Sequence, residues 1–174
     1  MHYGQFTSHW NYPANMAKMY ASLKAIHPYS EPYLVVKVSE GIGKYNDGIG
    51  AAVNAKDAGF RHIGPLHFYD RRYDPIKNAD TFLSQWDKFP WTVRPSLDNE
   101  LVSYMPNPNP LTYPGLMHKW FERVRPLTGG KPGIMYANVS FVTAYLQDPT
   151  LTIYGLWLSQ TASNTKIILG APTV

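Results

Sequence analysis

Tyr33-Leu34-Val35-Val36-Lys37-Val38 is a β-branched run that reads as a buried strand. Just beyond it, Asn46 or Asp47 is placed to cap a helix carrying Ile49, Ala52, Val53 and Lys56, stopped by Gly59. His62-Ile-Gly-Pro-Leu-His-Phe68 then reads as the next strand. A strand, a helix and a strand joined by short loops form the unit of a parallel sheet with right-handed crossovers. The fold follows from how often that unit recurs.

It recurs along most of the chain. Asp74-Pro75 supplies an N-cap with proline at the first helical position, and Ile76, Ala79, Leu83 and Trp86 make one apolar stripe behind it. Val93 to Asp98 reads as a strand. Leu116, Trp120, Val124 and Leu127 mark a helix ended by Gly129-Gly130. Gly133 to Tyr136 is a further strand, followed by a short helix from Phe141 to Leu146. Ile153–Ser159 and Lys166–Leu169 read as two strands with no helix between them. At the other end, Gly4 to Trp10 gives a first strand. Met16, Met19, Tyr20, Leu23 and Ile26 then form a core-facing helix stripe rather than a cofactor contact.

The expected fold is therefore α/β: a modified TIM-like barrel of about five β/α units followed by strands without helices, its last strand not assured. An open doubly wound sheet is the competing architecture. No glycine-rich phosphate loop follows the first strand, and Gly41-Ile-Gly43 is too short to serve as one, which argues against a nucleotide-binding version. No linker or repeat divides the chain, so residues 1–174 are expected to form a single domain.

Composition narrows the function. The chain has 174 residues, 44% hydrophobic and 14% aromatic, enough for one sizeable core. No apolar run is long enough to cross a membrane, and the N-terminus lacks the basic and apolar regions of a signal peptide. The absence of cysteine rules out disulfides, zinc–thiolate sites and thiol nucleophiles. A net charge of +4 favours an anionic partner such as a cell-wall polymer or nucleic acid. The basic residues are scattered, however, and the one adjacent pair, Arg71-Arg72, reads as a solvated loop. Nucleic-acid binding is not indicated. The six histidines show no helical metal spacing, no Gly-x-Ser-x-Gly elbow occurs, and no cofactor is implied.

Barrel chemistry collects at the C-terminal ends of the strands. Residues falling there are Glu40 after the second strand, His67, Tyr69 and Asp70 around the third, Asp98 and Glu100 at the fourth, and Tyr136 at the fifth, with Trp157 in the sixth. Within Arg94-Pro-Ser-Leu-Asp-Asn-Glu100, the two acids are one residue apart. Side chains at i and i+2 of a strand share a face, with Cα atoms roughly 6–7 Å apart. Acids that close do not ionise independently, so one keeps its proton to higher pH. A glycosidase needs that pairing, and aromatic rings on the same rim suit the faces of pyranose rings. Taken singly, Asp-x-Glu is common and also fits an exposed strand end, and His67 reads as a hydrogen-bonded barrel residue rather than a base.

Together these segments resemble glycoside hydrolase family 25, the muramidases that cut peptidoglycan. The resemblance runs from about Gly4 to Gln160. It rests on Ser8-His9-Trp10, Val36-Lys-Val-Ser-Glu-Gly41, Leu66-His-Phe68, Leu97-Asp-Asn-Glu100, Thr128-Gly-Gly-Lys-Pro132 leading to Ile134-Met-Tyr136, and Leu156-Trp-Leu158. It implies retaining hydrolysis of the β-1,4 bond between N-acetylmuramic acid and N-acetylglucosamine. It implies that Glu100 is the general acid and that Asp98 either assists the substrate's 2-acetamido group as it attacks or acts directly as the nucleophile. Glu40, Tyr69, Asp70, Tyr136, Trp157 and Trp10 are then expected around the sugar.

Two departures stand against the family pattern. Phe6 occupies the place of an aspartate usual in the first strand, and the chain reaches Val174 without the family's Trp-Gln-Tyr and Asp-x-Asn strand motifs. Asp70 is a candidate replacement for one missing acid; its plainer role is to cap the turn before Asp74-Pro75. Three readings follow: an active wall hydrolase, a degenerate barrel that binds wall glycan or serves as a structural module, and a fragment whose open edge pairs with a partner chain. The expected place of action is the bacterial cell wall, reached as a phage lytic or virion-associated protein or by secretion with the leader removed.

Overall fold

The computed structural model describes residues 3–7 (backbone), 15–130 and 132–159. Strands β1 (Tyr3–Thr7), β2 (Pro32–Glu40), β3 (Gly43–Lys44), β4 (His62–Phe68), β5 (Ser96–Asn99), β6 (Ile134–Asn138) and β7 (Gly155–Ser159) alternate with helices α1 (Met16–Ile26), α2 (Asn46–Asp57), α3 (Pro75–Trp86), α4 (Tyr113–Val124) and α5 (Val139–Tyr145). The sheet runs β1-β2-β4-β5-β6-β7, every pair parallel, with the two-residue β3 folded back antiparallel on β2. Five strand–helix units followed by β7 match the expected plan, while the proposed strand at Lys166–Leu169 lies outside the described residues.

The sheet is curled. Tyr33 of β2 and Trp157 of β7 meet edge to face with ring centroids 5.6 Å apart. Four strand spacings separate β2 from β7 along the sheet, about 19 Å if it were flat. Only a closed curvature brings those two side chains together. The outer face carries the main core: Leu34, Val36, Val38, Ile63, Leu97 and Met135 pack against Ala52, Ala55, Phe82, Trp120 and Phe121 of the helices. Val35, Leu66 and Ile134 alternate with them, are also buried, and fill the inner face.

His67 points outward and is fully buried. Its Nδ1 lies 2.8 Å from Ser39 Oγ and its Nε2 3.0 Å from Asn78 Oδ1. Asn78, on α3, also accepts from the Asp70 backbone N–H and donates to the carbonyls of Asp70, Tyr73 and Asp74. Burial pushes the imidazole down to about 4, so it stays neutral.

Several local expectations shift. Asp74 caps α3 as expected, its carboxylate accepting from the Ile76 N–H at 2.8 Å, but Ile76 itself faces outward and the buried face includes Asn78, Ala79, Phe82 and Gln85. Helix α2 begins at Asn46 with Tyr45 as its N-cap, one residue before Asn46 and two before Asp47, and the Tyr45 side chain makes no capping bond. There the first turn is held by close approach instead. A Cβ on Gly48 would stand 2.2 Å from the Lys37 carbonyl oxygen, so only glycine lets α2 rest on β2. Strand β5 begins at Ser96 rather than Val93, since the Thr92 and Val93 N–H groups both turn to the Ile63 carbonyl. Helix α4 stops at Val124, and a 3-10 turn carries the chain to Gly129 at φ 61°.

Candidate active site

Backbone register lines up one row across the inner face. Glu40 pairs with Phe68, Phe68 with Asp98, Asp98 with Tyr136, and Tyr136 with Trp157. In a parallel sheet, register partners project from the same face, so these five side chains form a transverse band near the C-terminal end of the barrel. Tyr136 and Trp157 meet edge to face at 5.2 Å and make an aromatic wall beside Asp98. Glu100 follows one residue beyond β5, half-buried at the rim.

Strict alternation would not put Glu40 in that row. Lys37 and Glu40 are three apart and would face opposite ways in a regular strand. The β2–β4 register slips between Lys37 and Ser39, so Val38 and Ser39 both face the helices, one in the apolar core and one on His67. The bulge returns Glu40 to the inner face alongside Lys37. Gly41 completes the corner at φ 53°, and a Cβ there would stand 2.8 Å from Asp70 Cβ. The Ser-Glu-Gly segment is thus a bulge followed by a turn that only glycine fits.

The charges in this band are unequal. Asp98 is 3% exposed, and its Oδ1 has no hydrogen-bond partner among the described residues. Burial, reinforced by the charge of Glu100, pushes its carboxyl well above the ordinary range, against an opposing pull from Lys37. Burial also raises Glu100, again opposed by Lys37. Glu40 behaves oppositely. Burial would raise it, but hydrogen bonds from Lys37, from Tyr104 at 3.0 Å and from Tyr45 at 3.2 Å outweigh that and hold it low. Lys37 is itself buried, its ammonium 4.5 Å from the centroid of the Phe68 ring. The site therefore holds two carboxyls disposed to keep a proton next to one fixed as an anion.

A buried acid pair beside aromatic rings, at the C-terminal rim of a curled parallel sheet, is the arrangement the sequence resemblance implied. The family model of the glycosyl hydrolases of family 25 matches residues 7–171. The chain belongs to that family. Among solved structures it is similar to the muramidase of Acremonium alcalophilum, with TM-score 0.77 and 18% identity over 94% of this chain and 79% of that one. It is similar also to the family 25 lysozyme of Aspergillus fumigatus, with TM-score 0.74 and 17% identity over 95% and 80%. A family 25 glycosyl hydrolase from Bacillus anthracis aligns with TM-score 0.75 and 15% identity over 94% and 72%. No curated protein matches the chain. At these identities the structural likeness speaks to the fold, which is the modified TIM-like barrel of a family 25 hydrolase.

Within this family 25 hydrolase, the residues singled out from sequence divide into two groups. Asp98, Tyr136, Trp157 and Glu40 are brought together, with Glu100 at their edge. Tyr69 is not with them. One residue past Phe68 it turns outward, 1% exposed, and packs edge to face on Tyr113 of α4 with centroids 6.0 Å apart. Asp70 is buried beneath Gly41, with both carboxylate oxygens on Arg72 at 2.6–3.1 Å, and a group so occupied does not stand in for a free acid. Arg72 and, behind it, Arg71 hold its carboxyl low against the effect of burial. Trp10 and the side chain of Phe6 lie outside what is described.

Sequence reasoning also missed residues. Lys37, Tyr45 and Tyr104 surround Glu40, and Arg71-Arg72 is no free solvated pair: Arg72 binds Asp70 and stacks 5.0 Å from the Tyr104 ring, while Arg71 reaches two main-chain carbonyls. Lys37 had a usable signal, because a lone cation in a buried strand has to be paired. Tyr104 and Arg71 had none, since only the folded loops make them neighbours. Among the described residues, no cluster of three or more acids or histidines is poised to hold a metal.

Proposed function

We propose that this chain hydrolyses peptidoglycan, cutting the β-1,4 bond between N-acetylmuramic acid and N-acetylglucosamine with retention at the anomeric carbon. The observation that carries the proposal is the pair Asp98 and Glu100 at the mouth of the barrel, both raised by burial, Asp98 further by the charge of Glu100. The muramidase and lysozyme relatives supply the substrate class.

Glu100, half-buried and with its carboxyl raised by that burial, gives its proton to the glycosidic oxygen as the C–O bond breaks. The carbonyl oxygen of the substrate's own 2-acetamido group closes on the anomeric carbon. Asp98, releasing its own proton to solvent as the substrate closes over it, accepts a hydrogen bond from the acetamido N–H and offsets the positive charge of the cyclic intermediate, both of which favour its carboxylate form. Glu100, now a carboxylate, takes a proton from the incoming water, and attack from the vacated face restores the original configuration. Tyr136 and Trp157 form the apolar wall against which the sugar rests. Glu40, with its oxygens on Lys37, Tyr45 and Tyr104, is a fixed anion and shapes the floor instead of exchanging protons. The place of action is the bacterial cell wall, reached by phage-borne delivery or by secretion.

The test is clearing of a cell-wall suspension followed by turbidity. The parent chain is expected to lower it, and Glu100→Gln to slow clearing by about 10²–10⁴-fold with no loss of thermal stability. Proton NMR of the first product formed is expected to show the β-anomer. Should parent and variant both sediment with walls while neither clears them, the chain is a glycan-binding module instead.

A further inference from the structure

We propose that Arg71 is the positioning residue for Glu100, holding the general acid through its main chain; the inference rests on Glu100 being that acid. Glu100 lies past the end of β5, where the sheet ladder no longer fixes the backbone. The segment after it, up to α4, contains Pro106, Pro108 and Pro110, which have no N–H to tie the chain down. Something outside the loop has to fix it.

Arg71 does so from the corner between β4 and α3. Its Nη1 donates to the Glu100 carbonyl oxygen at 2.5 Å and its Nε to the Pro106 carbonyl oxygen at 2.9 Å. One planar guanidinium therefore spans the first residue of the loop and a point six residues on. Charged donors make the stronger class of hydrogen bond, and the fork fixes direction as well as distance. The corner bearing Arg71 is itself rigid, because Asn78 binds the backbone of Asp70, Tyr73 and Asp74. From beneath, the Tyr113 hydroxyl donates to Asn99 Oδ1 at 2.7 Å, and Asn99 Nδ2 donates to the Leu97 carbonyl at 3.0 Å. The main chain around the acid pair is thus held from two directions. Tyr113 secures Asn99 between the acids, and Arg71 secures the carbonyl immediately after them.

A displacement of order 1 Å at a reacting group costs roughly 100-fold in rate. Arg71→Met and Arg71→Lys are therefore compared with the parent chain and Glu100→Gln in cleavage of soluble glycan oligomers prepared from peptidoglycan, scored by new reducing ends, with thermal unfolding in parallel. In the methionine variant kcat is expected to fall roughly 30–100-fold with KM within about threefold. Lysine is expected to recover part of the loss, to about tenfold below the parent, since one ammonium cannot hold both carbonyls in a fixed fork. A folded variant with kcat within about threefold of the parent overturns the proposal, as does a loss carried wholly by KM. If the methionine variant fails to fold, the lysine variant decides on the same two criteria, and failure of both leaves a purely structural clamp and overturns it. Full activity in Glu100→Gln removes the acid and this inference together, whereas an inactive Glu100→Gln beside a fully active Arg71 variant removes this inference alone.

Discussion

The two faces of one curled sheet treat buried polar groups in opposite ways. On the outer face, His67, Ser39 and Asn78 are completely enclosed, and both ring nitrogens of His67 have partners, while Asn78 binds the backbone on either side of the β4–α3 corner. On the inner face, Asp98 and Ser96 are equally enclosed, yet Asp98 Oδ1 and Ser96 Oγ have no partner among the described residues. A satisfied network stabilises and orders the fold; an unsatisfied acid destabilises it and stays available for a ligand. The outer set maintains the corner beside the candidate site, and the inner set leaves acceptors open at its centre.

That contrast is breakable by substitution. Asn78→Ala removes the partner of His67 and leaves several backbone groups unpaired, so it is expected to cost about 3 kcal/mol in urea unfolding. A cost under about 0.5 kcal/mol would mean that the outer network is not what holds the corner. Asp98→Asn should do the reverse: activity falls while stability at neutral pH rises by about 0.5–2 kcal/mol. The sign follows from linkage. A carboxyl raised on folding contributes stability only below its unfolded value near 3.8 and loses it as pH climbs through the folded value, so the gain from asparagine should vanish in acid. Thermal unfolding of parent and variant at pH 7 and pH 3.5 checks both halves.

A third expectation sharpens the outer half. The unfolded His67 takes a proton near 6.5 and the folded one only near 4, so between those values the unfolded chain binds more protons and stability declines as pH drops. His67→Gln, which cannot titrate, should flatten that part of the stability–pH curve relative to the parent. Parallel curves would show that the imidazole is not held neutral.

Much of the fold was legible because strand and helix periods are carried by large apolar side chains whose burial leaves little choice. Tyr33–Val38, His62–Phe68 and Gly133–Tyr136 each led to a strand, and Asp74-Pro75 to a helix start. The site was legible where it follows from strand ends: Glu40, Asp98, Tyr136 and Trp157 do share one row. Tyr69 failed because the residue after Phe68 is on the opposite face, and Asp70 because its cation, Arg72, comes from a turn that no pattern announces. The cap of α2 failed because backbone contact through Gly48, not a polar side chain, decides where that helix begins. Arg71 could be found only by folding, since its acceptors are 29 and 35 residues away along the chain.

The slip in β2 changes how this barrel can be compared or transplanted. Counted by twos, its cleft side runs through positions 33, 35 and 37, then skips to 40. A graft of these residues onto a regular ribbon would send the carboxylate toward the helices and part it from the lysine. Whoever borrows this cleft has to borrow its missed step as well.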